Sequence, residues 1–205
     1  MLFNTSGTKK SVSRTEEQAL ISRCKNGDIK AFDELVTHFQ KRVYNFAYGI
    51  AGNYDDANDI AQEAFVRVFN SISTFRGDAN FTTWIYRIVT NVFLDERKKA
   101  KNHRQVSLDE IIDLDETSVS RQIEDEKPLP GEIAESKERN KAVRTAIASL
   151  PDYQRVIMTL YHLHDRSYEE IADILHLPIG TVKSRLNRAR GALKEILESQ
   201  SELFG

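Results

Sequence analysis

The side chains best suited to chemistry crowd into ten residues near the end of the chain. From Thr181 to Arg190 stand four cations, Lys183, Arg185, Arg188 and Arg190, with Ser184 and Asn187 between them, and no acid occurs from Pro178 to Leu193. Arg and Asn can each hydrogen-bond a base edge two-pronged in the major groove, guanine and adenine respectively, for about 1–3 kcal/mol of discrimination apiece. At about 100° per residue, Val182, Leu186, Ala189 and Leu193 fall in one apolar stripe. Ser184, Asn187 and Arg188 then point the opposite way, flanked by Lys183 and Arg190, while Arg185 lies nearer the stripe and suits a phosphate. A basic helix face alone is an ordinary solvated surface, so the preceding segment decides the matter. Ser167 and Glu170 have the spacing of a capping box, Leu177-Pro178-Ile179-Gly180 interrupts the helical pattern, and Thr181 can restart it. Two short helices around a tight turn, the second basic, outline a helix-turn-helix that reads DNA.

Catalytic constellations are absent. The chain has no phosphate-binding glycine loop, no His-Glu-x-x-His helix and no Gly-x-Ser-x-Gly elbow. His162 and His164 lack a third ligand at a known spacing, and Asp55, Asp56 and Asp59 lack the alternating oxygens and glycine of a calcium loop. No catalytic residue, metal, cofactor or small-molecule substrate is expected: this reads as a binding protein.

Composition agrees. A net charge of −2 over 205 residues means that nucleic-acid binding must come from local patches. A single cysteine, Cys24, excludes an internal disulfide and sits on the apolar side of a first helix. No apolar run is long enough for a signal peptide or a membrane span, so a cytoplasmic protein without membrane insertion is expected. Nine glycines, four prolines and no strand-like alternation predict an all-α fold.

The elements that must position these residues divide in two. Residues 1–14 read as a disordered tail. From 15 to 104, four helices are expected: one opened by Ser13 and Glu16, one bearing Phe32, Leu35, Val36, Phe39, Val43, Phe46 and Ile50, and a third with Ala57, Ile60, Ala61, Ala64, Phe65, Val68, Phe69 and Ile72 inward. The fourth should run from Thr82 to Lys99 and end in the basic cluster Arg97–Arg104, which exceeds what a helix end needs and suits phosphates. From Ser107 to Glu138, eleven acids face three bases, so 105–134 reads as a flexible acidic linker. Helices resume over 135–205, ending in the helix-turn-helix. The expectation is two small helical domains joined by that linker.

With the motifs placed, the chain resembles the bacterial RNA polymerase sigma factors of the extracytoplasmic-function type, over roughly residues 15–100 and 135–195. Asp59-Ile60-Ala61-Gln62-Glu63-Ala64-Phe65 resembles the family's helix that grips the coiled coil of the polymerase largest subunit. Ser73-Thr74-Phe75-Arg76-Gly77-Asp78, followed by Phe81-Thr82-Thr83-Trp84-Ile85-Tyr86-Arg87 and Asn91, resembles the loop and helix that open the downstream (−10) promoter element. Ser149-Leu150-Pro151 through Arg190 resembles the region that binds the upstream (−35) element.

The resemblance implies roles residue by residue. Asp59, Gln62, Glu63 and Phe65 would bind core polymerase. Phe75, Arg76, Asn80, Phe81, Trp84, Arg87, Asn91, Arg97 and Lys98 would serve the −10 element, with Phe75, Asn80 and Asn91 lining a pocket for an unstacked base and Trp84 buttressing the helix beside it. Thr181, Lys183, Ser184, Arg185, Asn187, Arg188 and Arg190 would serve the −35 element. Partners would be core RNA polymerase, through its coiled coil and flap, promoter DNA and an anti-sigma factor. Two other readings stand beside this one: a stand-alone helix-turn-helix regulator, and a sigma-like protein that titrates an anti-sigma factor without touching DNA.

Overall fold

The computed structural model describes residues 14–108 and 142–202, all helix and short connections with no strand among them. The expected tail, all but its last residue, and most of the expected linker lie outside the described residues. Helix α1 (Arg14–Lys25) buries Leu20, Ile21 and Cys24 and ends at Gly27, whose φ of 84° reverses the chain. Asp28 caps α2 (Ile29–Ala51) by accepting from the Ala31 amide at 3.0 Å. Leu35, Phe39, Val43, Phe46 and Ile50 of α2 are all fully buried, as their three- and four-residue spacing requires. Gly52, with φ of 82°, closes α2, and Asn53 opens α3 (Tyr54–Ser71) by accepting from the Asp56 amide at 2.9 Å.

Two expectations fail here for identifiable reasons. Phe69, expected inward, is 52% exposed. It lies about 100° beyond Val68, off the stripe made by Ala57, Ile60, Ala61, Ala64 and Val68. After a single 3-10 turn (Ile72–Thr74), α4 runs over Phe81–Leu108, well past the expected end at Lys99. Its basic stretch, Arg97–Arg104, is mostly Lys, Arg and Ala, good helix formers, and holds no glycine or proline, so the charge run continues the helix instead of ending it.

The second group begins with α5 (142–148), followed by Pro151 and α6 (Asp152–Met158), which widens into one π turn (Thr159–Leu163). Helices α7 (Tyr168–Leu175) and α8 (Ile179–Glu202) complete it. The two groups are not merely tethered, because their apolar residues form one continuous cluster. Thr159 Oγ1 donates to the Gly49 carbonyl at 3.1 Å, and a Cβ at Gly49 would lie 2.7 Å from Thr159 Cγ2. Arg155, 12% exposed, donates to the carbonyls of Ile50 at 3.0 Å and Leu150 at 3.0 and 3.2 Å. That pairing matters: a guanidinium taken from water must spend its donors on fixed acceptors.

Candidate polymerase and nucleic-acid interfaces

Three surfaces can be built from these elements. The first is the helix-turn-helix. Ser167 Oγ accepts from the Glu170 amide at 3.1 Å and Glu170 returns the bond to the Ser167 amide at 3.0 Å, the reciprocal cap expected from the spacing. Arg166 pairs with Glu170 at 2.9 Å and steadies it. His176 ends α7 in the left-handed region (φ 50°), and the Pro178 carbonyl accepts from Thr181 and Val182 at 2.9 and 3.1 Å. Helix α8 therefore starts at Ile179, two residues before Thr181.

Val182, Leu186 and Ala189 are buried, while Lys183, Ser184, Asn187, Arg188 and Arg190 are exposed and Thr181 and Arg185 half-buried. Ser184 donates back to the Thr181 carbonyl at 3.0 Å, which leaves its hydroxyl free as an acceptor. Beside this face, Met158, His162, Leu193 and Leu197 line an open, mostly apolar groove of about 390 Å³, rimmed by Arg190, Lys194 and Glu198.

The second surface is a polar groove of about 440 Å³ between α3 and α4, lined by Asp59, Gln62, Glu63, Val66, Arg67, Glu96 and Lys99. It gathers the three polar residues expected to bind polymerase. Phe65 is not among them: it is half-buried and packs against the core. The apolar surface beside the groove comes instead from Val66 and Phe69, 54% and 52% exposed, with Phe69 meeting Phe32 edge to face at 5.0 Å. Arg67 bridges Glu63 on its own helix and Asp95 on α4, both at 2.8 Å. Burial, helped by nearby Asp56 and Asp59, pushes the Glu96 carboxyl above its ordinary range. The Glu63–Arg67 pair is legible as i,i+4 spacing, whereas Asp95, Glu96 and Lys99 join only through the crossing of two helices.

The third surface, expected to serve the −10 element, is more occupied than the sequence suggests. Phe75 and Phe81 are 9% and 2% exposed, and their rings meet each other and Trp84 at 5.2–5.4 Å. Both belong to the core, and Trp84 packs half-buried against them. Asn80 Oδ1 accepts from the Thr83 amide at 2.8 Å, so it caps α4, a role that three-residue spacing before a helix could have shown. Arg76, Asn91 and Lys98 are exposed. Arg87 donates to the Asp173 carbonyl of α7 at 2.6 Å, and its Nε is buried with no hydrogen-bond partner among the described residues. Arg97 stacks over Phe93 at 5.3 Å and pairs with Asp56 and Asp152 at 3.5 and 3.9 Å, so its guanidinium already has acidic neighbours. The last cations of the cluster, Lys101 and Arg104, have side chains outside the described residues.

Comparison with known proteins bears directly on these surfaces. Residues 35–103 match the family model for Sigma-70 region 2, and residues 140–193 that for Sigma-70, region 4. The ECF RNA polymerase sigma factor SigW of Bacillus subtilis is 35% identical over 177 residues, 86% of this chain and 94% of that protein. The chain belongs to the ECF family of RNA polymerase sigma factors. The ECF RNA polymerase sigma-E factor of Escherichia coli is likewise 35% identical over 182 residues, covering 86% and 92% of the two chains. Two solved structures share the fold at a TM-score of 0.61. One is RpoE with the anti-sigma factor NepR from Bartonella quintana, at 24% identity over 82% of this chain and 98% of that one. The other is CnrH with the cytosolic domain of CnrY, at 21% identity over 89% and 97%. In this sigma factor the groove between α3 and α4 and the third surface fall within region 2, and the helix-turn-helix within region 4. No helix among the described residues is long and apolar enough to cross a membrane.

Proposed function

We propose that this sigma factor binds core RNA polymerase through the α3–α4 groove and directs promoter-specific initiation. It reads the −35 element with Ser184, Asn187 and Arg188 and opens the −10 element with the surface around Trp84 and Asn91. The observation that carries this reading is the pairing, in one chain, of a groove holding Asp59, Glu63 and Glu96 with a recognition helix whose outward face holds cations and no acid. A regulator that needed only DNA would have no use for the groove. A titrating mimic would have no use for Lys183 and Arg188.

The chain acts in the cytoplasm by binding, and the polymerase supplies the chemistry. The coiled coil of the largest subunit fits the groove, and the flap fits the apolar groove beside α8. The solved RpoE with the anti-sigma factor NepR motivates an anti-sigma partner for this chain as well. Run-off transcription with core polymerase and genomic promoter fragments tests the assignment. Promoter-specific transcripts are expected. Tight, sequence-selective DNA binding without polymerase, or holoenzyme that starts at random, would refute it.

A further inference from the structure

Three of the four cations on the reading half of α8 do not hang free. Lys183 Nζ lies 5.9 Å from the centre of the Tyr168 ring, Arg185 5.4 Å from that of Tyr153, and Arg190 4.9 Å from that of Tyr161. Tyr161 and Tyr168 stack on each other at 5.5 Å with their planes 19° apart, so Arg190, Tyr161, Tyr168 and Lys183 form one continuous ladder. Arg188 has no ring or ion-pair partner among the described residues.

The register gives this arrangement its meaning. At about 100° per residue, Asn187, Ser184 and Arg188 span an arc of about 100°. Lys183 and Arg190 border that arc on one side and Arg185 borders it on the other. A helix lying in the major groove, about 12 Å wide, has a phosphate backbone along each flank. The tyrosine-held cations therefore stand where phosphates run, and the unheld arginine stands where base edges are.

We propose that Tyr153, Tyr161 and Tyr168 are positioning residues that hold the flanking cations of α8 for the two phosphate backbones, leaving Asn187, Ser184 and Arg188 to read sequence. This rests on the assignment of α8 to the upstream element. Lys and Arg have the most rotamer freedom to lose on binding, and a ring that already seats the charge reduces that loss. A guanidinium stacked on a ring keeps its N–H edges free for a phosphate oxygen.

The test uses reconstituted holoenzyme on a fluorescent promoter fragment from the run-off screen, together with point variants of its upstream element. Tyr153→Leu, Tyr161→Leu and Tyr168→Leu should each weaken binding about two- to fivefold, by the same factor on every element variant, whereas the three Phe variants should bind as wild type. In an Arg185→Ala background Tyr153→Leu should cause no further loss, which separates positioning from a general effect on the fold. Tyr153 is 56% exposed, so its replacement should leave the melting temperature unchanged even if Tyr161 and Tyr168 prove to matter for packing. Leu variants that bind as tightly as Phe variants, or a full additional loss in the Arg185→Ala background, would overturn the role of the tyrosines. A wild-type holoenzyme indifferent to the upstream element would instead overturn the assignment of α8 and the proposal with it.

Discussion

At the scale of single residues, what matters is whether a side chain is free to meet a partner. Arg188 is exposed and has no ion-pair or ring partner among the described residues, so Arg188→Ala should lose about 1–3 kcal/mol of discrimination at one base pair of the upstream element. Transcription from single-position promoter variants measures it, and equal output from all of them would exclude the residue from base reading. Phe69 is the converse case, a large apolar side chain left half in water beside the polar groove. Because its contact with Phe32 is peripheral, Phe69→Ala should leave the melting temperature within a few degrees of wild type. It should also weaken core polymerase binding about tenfold, as expected for an aromatic anchor at an interface. A pull-down titration with core enzyme checks this, and unchanged affinity would remove Phe69 from the interface. Phe69 stands outward because a helix with six or more apolar residues offers several stripes, and only the neighbours in space choose among them.

At the scale of elements, caps and close approaches carry the consequences. The Ser167–Glu170 box was legible because it is local, two side chains and two amides within four residues. Ser167→Ala should cost about 1 kcal/mol of stability, seen as a lower unfolding midpoint in urea. An unaltered midpoint would mean that packing alone holds α7. Gly49 looks unremarkable in the sequence, yet it admits Thr159 where no Cβ would fit. Gly49→Ala should favour α2 itself by helix propensity, up to about 1 kcal/mol, while pushing α6 and its π turn away from α2. Small-angle scattering should then report a larger radius of gyration. A radius equal to that of wild type would show that the seam absorbs the methyl group. Helix α4 teaches the same lesson from the other side, since its length followed propensity and not the charge pattern.

At the scale of the whole molecule, the docked arrangement sets a requirement for function. Elements named for positions about 25 base pairs apart are separated by roughly 85 Å at 3.4 Å per base pair. A chain with α4 packed on α7, and Arg87 spent on the Asp173 carbonyl, does not reach both.

His164 sits in that seam, its Nδ1 3.0 Å from the Tyr86 hydroxyl and its ring edge-on to Phe46 at 5.3 Å. Burial first, then Arg166 and Arg144, lower its pKa to about 4, against the opposing pull of the Asn45 backbone and Asp165. The unfolded imidazole titrates near 6.5, so between about pH 6.5 and 4 the unfolded chain binds the extra proton. The stability that the neutral ring contributes is complete above that window and is lost as pH falls through it. His162, lowered by burial and Arg190, acts in the same direction. Urea midpoints should fall between pH 7.5 and 5, and His164→Leu should flatten that slope. A midpoint that ignores pH would show His164 to be solvated.

The sequence by itself determined what is local or periodic: the all-α class, the two motif blocks, the capped helix-turn-helix, the apolar stripe of α8 and its outward Ser184, Asn187 and Arg188. These follow from spacing of a few residues, which a helix turns directly into geometry. Only the tertiary structure decided that Arg97 and Arg87 reach acceptors on other helices, that Phe75 and Phe81 are buried, that Glu96 and Lys99 join Asp59 in one groove, and that three cations rest on tyrosines. Each of those depends on which helix crosses which, and so on packing between residues far apart in the chain, about which no local pattern carries a signal.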